Sequence, residues 1–114
     1  MMICKPGDIV LVDFPFVSGN ETRRRPALVI LDTGDADLIA ARVTSQARQD
    51  AFDVEIVDWR GAGLVLPSVA RLHKLATLDR SMIVRTLGHL QTTDRQSVAR
   101  ILATLFSEWK NANG

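Results

Sequence analysis

Apolar and polar positions fall into two rhythms along this chain. Asp8-Ile9-Val10-Leu11-Val12-Asp13-Phe14 follows a Pro6-Gly7 turn as a β-branched apolar run, the pattern of a well-buried strand. Pro15 stops it, and Val17-Ser18-Gly19-Asn20-Glu21-Thr22 carries loop signals. After Arg23-Arg24-Arg25, a second buried strand is predicted at Pro26-Ala27-Leu28-Val29-Ile30-Leu31. The hairpin so formed has a connection longer than the usual two to five residues or so, and such loops tend to be functional or mobile. Residues 32–37 read as a turn, 38–44 as a third strand and 45–50 as a polar loop. Phe52, Val54 and Ile56 then alternate with Asp53, Glu55 and Asp58, the period of a half-exposed strand. Gly61-Ala62-Gly63 breaks it, and residues 64–71 resume β character with Pro67 marking an edge, a bulge or a loop. Residues 72–78 and 83–90 are short strands around a turn near Asp79-Arg80-Ser81.

The last segment changes period. Val98, Ile101, Leu102, Leu105 and Trp109 recur at the spacing of one helix face, so Trp109 reads as core. Thr93-Asp94-Arg95-Gln96 matches a capping box, with Thr93 as N-cap and Gln96 reaching back. A helix of about 15 residues is expected to close the chain. The sum is a mainly β (α+β) domain over residues 1–114, a small strand-rich barrel with a C-terminal helix packed on it.

Length and composition agree with one ordinary globular core. The chain has 114 residues, 46% of them apolar and 24% charged, close to average usage. Residues 61–70 form the longest stretch without a charge, far short of the roughly 20 residues that span a bilayer. Cys4 is the single cysteine and no secretory leader fits before Gly7-Asp8, so a cytoplasmic location without disulfides is expected. One cysteine and two histidines offer no obvious zinc site; neither metal nor cofactor is expected.

The net charge of +1 hides a skew, because 11 of the 14 basic residues are arginine. A guanidinium grips phosphate with a planar fork that an ammonium lacks. On composition alone, compositional bias is the better explanation of the skew, so position has to decide. Three places stand out. Arg23-Arg24-Arg25-Pro26 sets three guanidinium groups where a glycine-bearing loop enters a rigid strand, a placement suited to gripping a phosphodiester. The plain alternative is a solvated charge run beside a turn. Thr44-Ser45-Gln46 ends the third strand, where hydroxyls either satisfy nearby backbone or donate to a developing phosphate charge. In Arg71-Leu72-His73-Lys74, strand alternation puts Arg71 and His73 on one face, and an imidazole beside a guanidinium can move protons at a phosphate. Arg60, Arg80, Arg95 and Arg100 fall where nothing calls for them.

In combination these segments carry a resemblance. The run from Gly7 to Phe16, followed by Arg24-Arg25-Pro26-Ala27-Leu28-Val29-Ile30, resembles the opening of the MazF/PemK toxin family. Val43-Thr44-Ser45-Gln46 is similar to that family's third-strand motif, and residues 68–79 to its next block. Gly88-His89-Leu90 and the last helix complete a match over nearly the whole chain, in order and at compatible spacing. The resemblance implies an SH3-like barrel of the MazF/PemK/CcdB type and a homodimer. It implies a type II toxin that cleaves single-stranded RNA, sequence-specifically and without metal, through the RNA's own 2′-hydroxyl. Arg25 falls on the family's arginine before proline and Thr44 on its threonine. The Arg-x-Asp pair of some members falls on Arg71 and His73, so a histidine stands where the aspartate would be.

Arg25, Thr44, Arg71 and His73 are accordingly the expected catalytic set: Arg25 as phosphate clamp, His73 as base or acid, Arg71 and Thr44 on the transition state. Phe16, Ser18, Asn20, Arg23, Arg24, Ser45, Gln46 and Lys74 are the expected RNA-binding residues. Unpaired bases can be splayed into pockets, which favours single strands. The expected partners are RNA and a cognate antitoxin presenting an acidic, partly disordered segment, with operator DNA bound only through that antitoxin; no membrane is expected. Two other readings stay open. A CcdB-like gyrase poison would act through a terminal Trp-Gly-Ile, whereas Trp109 here is followed by Lys110-Asn111-Ala112. A catalytically weak barrel that only binds antitoxin or operator DNA would fit the histidine at position 73.

Overall fold

The computed structural model describes residues 3–14, 23–46 and 49–112, with the side chain of Arg23 left out. Six strands and one helix follow in order: β1 (Asp8–Phe14), β2 (Arg23–Asp32), β3 (Asp37–Thr44), β4 (Asp53–Ile56), β5 (Ser68–Asp79), β6 (Ile83–His89) and α1 (Thr92–Asn111). A 3₁₀ turn, Arg80–Met82, joins β5 to β6. The strands form one antiparallel sheet in the order β4-β5-β3-β2-β1-β6. The mainly β expectation with a C-terminal helix holds, but the sheet is not closed, since β4 and β6 lie at opposite edges. The turn after β4 bridges them instead. Gly63 has φ +85°, and a Cβ there would run into the carbonyl of Leu87 on β6, so only glycine lets the two backbones meet.

The strands with unbroken apolar runs are those buried on both faces. On one face, Ile9, Leu28, Ala41, Val43, Ile56 and Leu72 pack with Leu90 and Val98. On the other, Val10, Val12, Ala27, Val29, Leu38 and Ala40 pack with Leu78 and Ile83. Cys4 belongs to this second layer and is buried, and burial, then the charges of Asp32 and Asp8, pushes its thiol above the ordinary range. An inert cysteine results.

Several expectations need correction. Arg23-Arg24-Arg25-Pro26 lies within β2 rather than before it. Pro26 is tolerated there because β3 begins to pair only at Ala27, so this end of β2 pairs with β1 alone. Residues 64–67 are outside any strand, and β5 runs unbroken from Ser68 to Asp79. A bulge accommodates that length: residues 72–74 are squeezed between the pairs Arg42↔Arg71 and Ala41↔Leu75. The helix is longer, at 20 residues, and its N-cap is Gln91 with no side-chain cap bond. Asp94 reaches away from the helix instead, its carboxylate accepting the backbone N–H groups of Val57 and Asp58. Trp109 is 89% exposed, because α1 outruns the sheet after Leu105.

Two of the arginines read as uncalled for have structural tasks. Arg80 pairs with Asp32 and donates to the backbone carbonyl of Asp35, and Arg95 donates to the carbonyl of Pro6.

Candidate active site

Strand register decides which candidate side chains meet. Directly opposed residues in an antiparallel pair point to the same face. Ala27 opposes Arg42, Arg42 opposes Arg71, and Arg71 opposes Asp53, so these four share a face across β2, β3, β5 and β4. Arg25, two residues before Ala27, and Thr44, two after Arg42, lie on it too. The bulge at residues 72–74 lets Lys74 return to the same side.

Arg25, Arg42 and Lys74 rim a groove of about 510 Å³ floored by Ala27, Ala40 and Leu78. None of the three cations is ion-paired among the described residues. Beside the groove, Arg71 sits in a cage. Its Nε donates to Asp53 Oδ1 at 3.1 Å and its Nη2 to Asp50 Oδ2 at 2.6 Å. Nη2 also lies 3.4 Å from His73 Nε2, and His73 Nδ1 is 4.0 Å from Asp53 Oδ1. The Phe52 ring stands 6.1 Å from the imidazole, tilted by 49°. Thr44 is buried, and its Oγ accepts the backbone N–H of Gln46 at 3.1 Å, which leaves the hydroxyl proton free to donate. Ser45 and Gln46 follow, exposed, just past the strand end.

Not every expected residue joins this face. Arg24 is exposed and opposes Asp13, whose side chain belongs to the other side of the sheet. One oxygen of Asp13 is buried and unpartnered. Phe16, Ser18 and Asn20 lie outside the described residues, as does the side chain of Arg23.

Sequence reasoning missed Arg42, Asp50 and Asp53. An arginine inside the apolar run Ala40-Ala41-Arg42-Val43 was a usable signal. Asp53 read as the exposed side of an alternating strand, yet its side chain is only 1% exposed because Arg71 covers it. Among the described residues, Asp50, Asp53 and His73 are the one group of acidic and imidazole donors close enough to share a cation. Arg71 already supplies the positive charge there, so a metal would have to displace it.

The frame is thus a small open antiparallel sheet with a C-terminal helix, carrying a groove rimmed by Arg25, Arg42 and Lys74 beside the caged Arg71–His73 pair. The sequence profile of the PemK-like, MazF-like toxins of type II toxin–antitoxin systems matches residues 5–106. The chain belongs to that family. MazF in the MazE–MazF complex of Deinococcus radiodurans is similar in structure, with 25% identity over 94% of this chain and 98% of that one and a TM-score of 0.75. An endoribonuclease in complex with its cognate antitoxin, from a mycobacterial species, superposes with a TM-score of 0.72 at 18% identity, over 92% and 96% of the two chains. The toxin MazF-mt6 of Mycobacterium tuberculosis does so at 0.71 and 21%, over 88% and 96%. These last two likenesses bear on the fold alone. No curated protein sequence matches the chain.

Proposed function

We propose that this protein is the toxin of a type II toxin–antitoxin pair and cleaves single-stranded RNA endonucleolytically, without metal. The observation that carries the reading is the shared face itself: Arg25, Arg42 and Lys74, with no ion pair among the described residues, beside the Arg71–His73 pair. In the reaction, the RNA 2′-hydroxyl gives up its proton, its oxygen attacks the adjacent phosphorus, and the P–O5′ bond breaks. The leaving 5′-oxygen takes up a proton, so the products end in a 2′,3′-cyclic phosphate and a 5′-hydroxyl. His73 serves as base or acid. Arg25, a guanidinium and thus a poor base, clamps the phosphate. Thr44 and Arg71 donate to the charge that builds on the phosphoryl oxygens. With these cations and donors in place, a metal is not required for charge stabilisation.

The partners follow from the same surface. A groove with an apolar floor and a basic rim suits an acidic antitoxin segment carrying apolar side chains; membership of the toxin family and the likeness to the MazE–MazF complex support an antitoxin as partner. Operator DNA would be bound through the antitoxin, and a homodimer is part of the reading. No described helix is long and apolar enough to cross a membrane, and a cytoplasmic site of action is proposed. The binder-only alternative keeps one support, the resting engagement of Arg71 by two carboxylates. Cleavage of a long single-stranded RNA tests the choice. Arg25→Ala should abolish it and Thr44→Ala should reduce it roughly hundredfold, both with native circular dichroism. Full activity in Arg25→Ala would remove the clamp from the mechanism.

A further inference from the structure

The cage around Arg71 constrains an imidazole tautomer. Arg71 Nη2 approaches His73 Nε2 to 3.4 Å, and a guanidinium has donors but no acceptor. Nε2 must therefore turn its lone pair toward Arg71, which puts the single proton of the neutral ring on Nδ1. Nδ1 is the nitrogen that faces Asp53 Oδ1, at 4.0 Å. The same carboxylate oxygen accepts the Arg71 Nε–H; at 4.0 Å it is too far to bond Nδ1, and it acts on the ring through its charge and through Arg71.

Asp53 is well built for that task, and its neighbour Asp50 is not. Asp53 opposes Arg71 in the β4–β5 register, and its side chain is 1% exposed. The local backbone is fixed as well, since the Phe52 carbonyl accepts the N–H of Leu72 in the bulge of β5 at 3.0 Å. Asp50 lies outside the strand and its side chain is 63% exposed, so a phosphate oxygen can replace it on Nη2 as one anion replaces another. A buried carboxylate is costly unless paired, and Asp53 retains the Nε partner when Asp50 leaves.

We infer that Asp53 is the positioning residue of the site: by holding the Arg71 fork against His73 it keeps the ring in the Nδ1–H tautomer, so that Nε2 carries the lone pair that takes a proton once Arg71 turns to the phosphate. The catalytic consequence rests on the ribonuclease reading; the tautomer does not.

The test separates the two. Ring ¹⁵N shifts of His73, assigned against a His73→Gln variant, report the tautomer in the full-length protein without any substrate. The native protein should show Nδ1–H. Asp53→Ala should move the population toward Nε2–H and lower kcat for RNA at least about tenfold, with KM nearly unchanged. Asp53→Asn keeps the shape, loses the charge, and should shift both readouts in the same direction by less; it serves as the decisive variant where Asp53→Ala does not fold. A native Nε2–H tautomer, or an unaltered tautomer in a folded Asp53 variant, overturns the inference. A native protein that shows the expected tautomer response but cuts no RNA contradicts the ribonuclease reading while supporting the assignment of Asp53.

Discussion

Arg80 and Arg71 are equally hidden, each with a side chain 10% exposed, and each is held by carboxylates. Their surroundings make them different objects. Arg80 gives its donors to Asp32 and to the backbone carbonyl of Asp35, while Asp32 in turn accepts the N–H groups of Cys4 and Gly34. The network is a staple that locks the β2–β3 turn to the 3₁₀ turn after β5. Arg71 gives its donors to one buried acid, one exposed acid and a histidine ring. Burial of a charged side chain therefore does not mark a functional site. What sets the proposed site apart is a partner that water or substrate can replace, Asp50, next to a group that can carry a proton, His73.

The largest effect expected from this contrast is on catalysis. Arg71→Lys keeps the charge but loses the fork, and should lower RNA cleavage roughly hundredfold. Arg80→Lys should lower stability and leave cleavage per folded molecule nearly unchanged. Equal losses of cleavage in two fully folded variants would erase the distinction.

A second effect is on acid stability. The Arg80 guanidinium, then the N–H groups of Cys4 and Gly34, hold the Asp32 carboxyl well below the usual carboxylate range. The unfolded chain then binds more protons than the folded one in acid, so stability present above about pH 4 is lost as pH falls below it. Urea midpoints measured from pH 7 to pH 3 should show the decline, and Arg80→Ala should flatten it. A residual slope should remain, because hydrogen bonds from Ser81 lower Asp79, and the Asp37 N–H and the Thr33 hydroxyl lower Asp35.

The smallest effect is expected at arginines whose side chains make no hydrogen bond or ion pair among the described residues. Arg100 is exposed on α1, and Arg100→Ala should change stability by no more than about 0.5 kcal/mol in the same denaturation series.

The sequence carried one half of this contrast better than the other. Strands β1 to β3 were legible because unbroken apolar runs such as Val10-Leu11-Val12 have only one use in a small sheet. Arg71 and His73 were legible as a pair because alternation is local. Their carboxylates were not, since Asp50 and Asp53 reach Arg71 only through the β4–β5 register, which sequence spacing does not encode. Arg80 was missed for the same reason: its partner is Asp32, 48 positions earlier. The helix cap failed differently. Thr93 had the residue type of a cap, but the cap falls two residues earlier, at Gln91, and Asp94 was taken by the turn after β4. Trp109 had the right periodicity, and the sheet ended before the helix did.

The ribonuclease reading is tested most directly by incubating the purified protein with a long single-stranded RNA in EDTA and mapping the ends produced. Cutting at a few defined sites, with 5′-hydroxyl ends and no metal, is the result expected. An RNA left intact, with the same protein instead stalling supercoiling by gyrase, would contradict it.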